Sequence, residues 1–152
     1  RTEERGMSVS EVTESSIKKL TIRKANGLDP IGVVFEDFSA GQGKVTIECF
    51  GEAWSHYWGA MGDSDVMSFF RTCGNDYLTN KLIPGTTTVL DWEEISKATG
   101  KTITNEVEAI ENEEAMSEAY GSDWRMDLPR TDSNEYRYLC KIIDAIKEAI
   151  RQ

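Results

Sequence analysis

Between Ile17 and Ala60 apolar residues alternate with polar ones, and beyond Asp63 they recur at three- and four-residue spacing. A period of two lets a strand bury one face, and a period near 3.6 does the same for a helix. The chain therefore carries strands first and helices after. That order predicts an α+β fold: an N-terminal antiparallel sheet of three or four strands, several helices, and a C-terminal amphipathic helix packed on the sheet.

The strand half divides at turn signals. Ile17–Lys24 alternates Leu20 and Ile22 with charged residues, and Asn26-Gly27 and Asp29-Pro30 mark a turn. Ile31–Phe38 follows, then the hairpin-length connection Ala40-Gly41-Gln42-Gly43, then Val45–Phe50. Trp54–Ala60 is a fourth strand or the bent continuation of the third, with Gly51 as a bulge or turn between them.

The helical half is read from caps and stripes. Asp63 or Ser64 is placed to cap a helix over Asp65–Cys73, whose Val66, Phe69, Phe70 and Cys73 form its stripe. Gly74 is placed to end it in a left-handed conformation. Asn75 then caps a short helix that stops at Pro84-Gly85. Asp91 with Glu94 makes a capping box for Trp92–Thr99, which turns Trp92, Ile95 and Ala98 inward and stops at Gly100. Thr104–Tyr120 reads as one helix anchored by Val107, Ile110 and Met116. Asp132 with Glu135 opens the last helix, whose Tyr136, Leu139, Cys140, Ile143, Ile146 and Ile150 lie on one stripe. No second core is evident, so residues 17–152 read as a single domain with its sheet in 17–61 and its helices in 64–151. A chain of 152 residues can bury a core without staples. Residues 1–16 read as a disordered or tag-derived segment, with Arg1–Gly6 as a fusion remnant ahead of Met7.

Several functions are disfavoured by residue content. Cys49, Cys73 and Cys140 are odd in number and lack a Cys-x-x-Cys pair, which argues against a disulfide framework or a zinc ribbon. Residues 1–16 hold no apolar core like that of a signal peptide, and no run approaches the roughly 18 apolar residues of a membrane helix. A cytoplasmic location without membrane contact is expected. The net charge of −10 argues against nucleic acid as a partner, because phosphate binding needs clustered Lys and Arg. Gly41-Gln42-Gly43-Lys44 runs into a strand, and Gly100-Lys101-Thr102 lacks the first glycine of a P-loop, so both read as turns.

Three constellations remain. His56 is the one histidine, and with Cys49 or Cys73 and Asp63 it would be the raw material of a nucleophilic site. The spacing brings none of them together, and Cys49, His56 and Cys73 match no compact zinc pattern. A small ligand-binding domain or enzyme using His56, Cys73 and the aromatic run is the alternative kept open; no catalytic residue, metal or cofactor is assigned. Trp54, Tyr57 and Trp58 form the densest aromatic cluster. Such rings fill a core, anchor a protein interface or stack exposed bases, so a weak single-stranded nucleic-acid binder is a further alternative. Alternation puts Trp54 and Trp58 on one face and Tyr57 on the other.

The most distinctive feature is acidic. From Asp91 to Asp123 ten carboxylates face only Lys97 and Lys101, a net of −8. Like charges four apart on a helix cost a few tenths of a kcal/mol, so helix stability alone does not favour the arrangement. Glu106, Glu113 and Glu114 can share one helix flank. With Glu108, Glu111 and Glu118 they form a candidate interaction face that imitates a polyanion toward a basic protein; the bland counterpart is a solvated helix face. The Asp-x-Asp-x-Asp-Gly pattern of a calcium loop is absent.

The run GKVTIECFGEAWSHYWGAMG at Gly43–Gly62, with Phe69-Phe70, Cys73, Asp76-Tyr77-Leu78 and Lys81-Leu82, resembles small accessory proteins of temperate phages and prophages of enteric bacteria. Tyr57-Trp58-Gly59-Ala60-Met61-Gly62 is its specific part. The resemblance covers Ile17–Leu82 and brings no catalytic residues with it. It implies a phage gene product acting in the bacterial host cell, of a kind that often modulates or inhibits host machinery or defence. The expectation is a non-enzymatic protein that binds a host macromolecule, and exposed apolar residues on a strand edge would suggest a homodimer.

Overall fold

The computed structural model describes residues 9–12 and 17–151. The reading of residues 1–8 and 13–16 as a loose or tag-derived segment lies outside the described residues. The chain divides into two compact units, Arg1–Arg71 and Thr72–Gln152.

In the first unit four antiparallel strands stand in sequence order: β1 (Lys18–Ile22), β2 (Ile31–Ser39), β3 (Gln42–Cys49) and β4 (Glu52–Trp58). Val33, Ile47 and Trp54 are neighbours across three strands, as are Phe35, Val45 and His56. Alternation then buries one face, with Ile31, Val33, Phe35, Val45, Ile47, Cys49, Trp54 and Trp58 all covered. The fourth strand is a true strand, because Phe50 and Gly51 both take positive φ (51° and 80°) between paired Cys49 and Glu52. Two such residues make a tight hairpin of the type I′ kind. Gln42 and Gly43 belong to β3, which leaves Ala40-Gly41 as the β2–β3 connection.

Helix α1 (Val66–Thr72) lies against this face. Phe70 meets Phe35 edge-on at 5.7 Å, and Phe69 meets Trp58 at 5.4 Å. Neither Asp63 nor Ser64 caps it. Asp65 does, its Oδ1 accepting the Ser68 N–H at 2.8 Å, and that bond holds its carboxyl below the usual range. Asp37 of β2 accepts the Val66 N–H at 2.9 Å, so the sheet itself satisfies another orphan donor of the helix start.

The second unit begins with α2 (Asn75–Leu82), then β5 (Thr88–Leu90) and α3 (Trp92–Thr99). Two short helices follow, α4 (Glu106–Glu111) and α5 (Glu113–Tyr120), then a 3-10 turn at Trp124–Met126. β6 (Arg130–Asp132) pairs antiparallel with β5, and α6 (Asn134–Ile150) closes the chain.

Caps and helix ends in this unit differ from those expected of the sequence. Gly74 is extended, not left-handed (φ −72°, ψ 158°), and precedes α2. Asn75 does not cap that helix; its amide donates to Asp144 at 2.7 Å and its oxygen accepts from Lys147 at 3.0 Å, which ties α2 to α6. At Asp91 the cap holds but the reciprocal half of the box does not: Asp91 accepts the Glu94 N–H at 3.0 Å, its own N–H donates to the Pro129 carbonyl at 2.9 Å, and Gly100 ends α3 with φ 71°. Ala98, however, is exposed. The cap of α6 is Ser133, accepting from Tyr136 N–H at 3.0 Å, because Asp132 is taken up in β6. The stripe of α6 stands, and Ile142 and Ala145 widen it.

The expected single helix over 104–120 is broken at Asn112. Its side-chain amide donates to the Glu108 carbonyl at 2.8 Å and its backbone leaves the helical region (φ −113°, ψ 41°). Val107 and Ile110 are exposed rather than anchoring (63% and 54%). Ala109 and Met116 turn inward with Ile95, Ile103 and Trp124 to form a buried cluster of their own, flanked by Trp92, Tyr120 and Leu128. Ser96 secures Ile103 there: its hydroxyl accepts the Ile103 N–H and donates to the Ile103 carbonyl, both at 2.9 Å.

Candidate functional site

The break at Asn112 divides the acidic segment between two short helices. Glu106, Glu113 and Glu114 therefore do not line one continuous helix. Two of the six candidate carboxylates serve local structure. Asn105 caps α4 by accepting the Glu108 N–H at 2.9 Å, while Glu108 accepts the Thr104 N–H at 2.7 Å and its hydroxyl at 2.9 Å. Those bonds, the backbone one foremost, hold the Glu108 carboxyl below its ordinary range. Glu113 accepts the Trp124 indole N–H at 3.1 Å and pairs with Arg125 at 3.2 Å. The indole bond first, and the guanidinium after it, lower its pKa in the same way. Glu106, Glu111, Glu114 and Glu118 are exposed.

Beside these helices lies a groove of about 400 Å³. Its apolar walls come from Leu90, Trp92, Ala109, Trp124 and Leu128, and its rim carries Ile110, Met126, Glu106, Asp127, Arg125 and Arg130. The geometry follows from short elements. The β5–β6 pair brings Leu90 opposite Arg130, and Arg130 is fixed by Nε to the Thr88 hydroxyl at 2.9 Å and Nη2 to the Thr88 carbonyl at 3.0 Å. The 3-10 turn places Trp124 in the buried cluster, with the Arg125 guanidinium 4.3 Å from its ring centre. Met126 is 83% exposed.

The aromatic candidates lie elsewhere, on β4. Trp54 and Trp58 are buried, and Tyr57 is half-exposed on the opposite face beside Phe38, 5.8 Å between rings. Only Tyr57 of the three offers its ring to solvent. His56 is half-buried, edge-on to Trp58 at 4.8 Å. Cys49 is buried with its thiol toward the Asp29 carbonyl at 3.5 Å. Cys73 belongs to the second unit, and burial pushes its thiol pKa up, the direction opposite to an activated nucleophile. Cys140 is shifted upward by burial too. Among the described residues no three His, Cys, Asp or Glu side chains gather to hold a metal ion, and no helix is long and apolar enough to cross a membrane.

A family model described as a phage family, Phage_phiTE_072, matches residues 10–152. The chain belongs to this phage family. The match takes in both units of the phage protein, so it covers the acidic helices and the groove as well as the sheet. No curated protein and no solved structure matches it.

Sequence reasoning missed the groove. Trp92 was legible as an inward residue of its helix, but Leu90 and Arg130 are brought to it by three-residue strands too short to leave an alternation signal.

Proposed function

We propose that this phage-family chain is an accessory protein of a temperate phage or prophage of enteric bacteria. It acts in the host cytoplasm, without catalysis, by binding a host protein and modulating or inhibiting it. The surface it uses is the acidic one of α4 and α5, which presents carboxylates as a nucleic acid presents phosphates. A host protein of defence or DNA binding offers the basic surface that such an array attracts.

The observation that supports this reading is the exposure of Glu106, Glu111, Glu114 and Glu118 within a segment whose net charge of −8 makes up most of the chain's net −10. The test is capture of host proteins on the tagged chain from enteric lysate, washed at low and at high salt. Exposed charges are screened beyond about 10 Å at 0.1 M salt and about 3 Å at 1 M. One dominant partner lost at high salt is expected. Retention of the same partner at both, or no partner at either, contradicts an electrostatic mechanism.

A further inference from the structure

We infer that the groove between α4, the 3-10 turn and the β5–β6 pair receives one large apolar side chain from a partner segment whose flanking residues are basic. This rests on the reading of the acidic surface given above and specifies what the partner presents there.

The groove has the size of a recognition pocket, which runs from about 300 to 1,000 Å³. Its volume of about 400 Å³ is lined by both Trp92 and Trp124, and Ile110 and Met126 of its lining hold apolar surface in water. A methionine at such a rim adapts its shape to what enters. An aliphatic or aromatic side chain is the occupant that these walls desolvate well.

The rim decides the flanking charge. Both cations there are engaged by the chain itself: Arg125 pairs with Glu113 and lies over Trp124, and Arg130 donates twice to Thr88. Glu106 and Asp127 are exposed and make no hydrogen bond or ion pair with another described residue. Two uncommitted carboxylates at the mouth, inside a region of excess negative charge, favour Lys or Arg on either side of the anchor and disfavour acids.

The test uses three capped hexapeptides without tryptophan or tyrosine, titrated into the full chain and followed by backbone amide NMR shifts and tryptophan fluorescence. One carries Leu-Phe between pairs of lysines, the second Gly-Gly between the same lysines, and the third Leu-Phe between pairs of glutamates. The first is expected to bind about ten-fold tighter than the Gly-Gly peptide, the effect of burying one large apolar side chain, and several-fold tighter than the glutamate peptide, whose charge the rim carboxylates oppose. Its shifts should centre on Ala109, Ile110 and Met126. Met126→Ala and Ile110→Ser, both at exposed positions, should weaken it several-fold without changing the fold. Equal binding of the Gly-Gly peptide overturns the groove and leaves the acidic-surface reading standing. Equal binding of the glutamate peptide overturns the charge rule. Shifts centred elsewhere, or no binding by the first peptide, overturn the inference.

Discussion

Trp124 donates its indole N–H to Glu113 at 3.1 Å, so a carboxylate on α5 fixes one wall of the groove. Arg125 reaches the same carboxylate from above the Trp124 ring. Glu113 thus belongs to the groove's framework, although by charge alone it looks like its exposed neighbours.

Its pKa gives a pH dependence with a definite sign. Hydrogen bonding from Trp124 depresses the folded-state value below the ordinary 4.5. The bonds therefore contribute fully above pH 4.5 and are lost as pH falls through the depressed value. Following the Trp124 indole proton by NMR from pH 7 downward should show the resonance move below pH 4.5. In Glu113→Ala the acid-dependent movement should vanish.

Reversing neighbouring acids should have different consequences. Glu108→Lys removes the acceptor of the Thr104 N–H and hydroxyl at the start of α4, so the melting temperature should fall. Glu111→Lys touches no such bond and should leave the unfolding free energy within about 0.5 kcal/mol of the parent, with the melting temperature nearly unchanged. Thermal unfolding of the two variants side by side checks this; equal melting temperatures would show that the Thr104–Glu108 bonds contribute nothing.

Phe50 occupies a left-handed backbone position (φ 51°) at a hairpin tip while 78% exposed, so packing does little to offset the strain. Asparagine is favoured there ahead of Gly51. Phe50→Asn should stabilise the protein by about 1 kcal/mol, read as a raised denaturant midpoint at unchanged slope.

Met116 is fully buried in the cluster with Ile95, Ile103, Ala109 and Trp124. Met116→Ala should cost about 2–5 kcal/mol in chemical denaturation. A cost below about 1 kcal/mol would mean that the cluster collapses around the gap.

Regular elements were legible in the sequence because burial on one face imposes a period. The four strands, the Asp91 cap with its Gly100 stop, and the stripe of α6 follow from that rule. Features set by competition were hidden. Asn112 breaks a helix at its own backbone (φ −113°, ψ 41°), where its side-chain amide shares the Glu108 carbonyl with its backbone N–H, an option that composition does not announce. Ser133 takes the cap of α6 because β6 claims Asp132. Small Ala109 buries while larger Val107 and Ile110 stay exposed, since the broken helix turns a different face to Trp124. Of the acidic face, the residues were visible but not their division into Glu108 and Glu113, held by local bonds, and Glu106, Glu111, Glu114 and Glu118, exposed to solvent.

The decisive measurement is host-partner affinity for the parent chain and for the variant carrying Glu106→Lys, Glu111→Lys, Glu114→Lys and Glu118→Lys, with folding checked by circular dichroism. The account predicts a folded variant that has lost at least about a hundred-fold in affinity, together with the salt dependence of binding. An equally folded variant that binds the partner as tightly as the parent would contradict it.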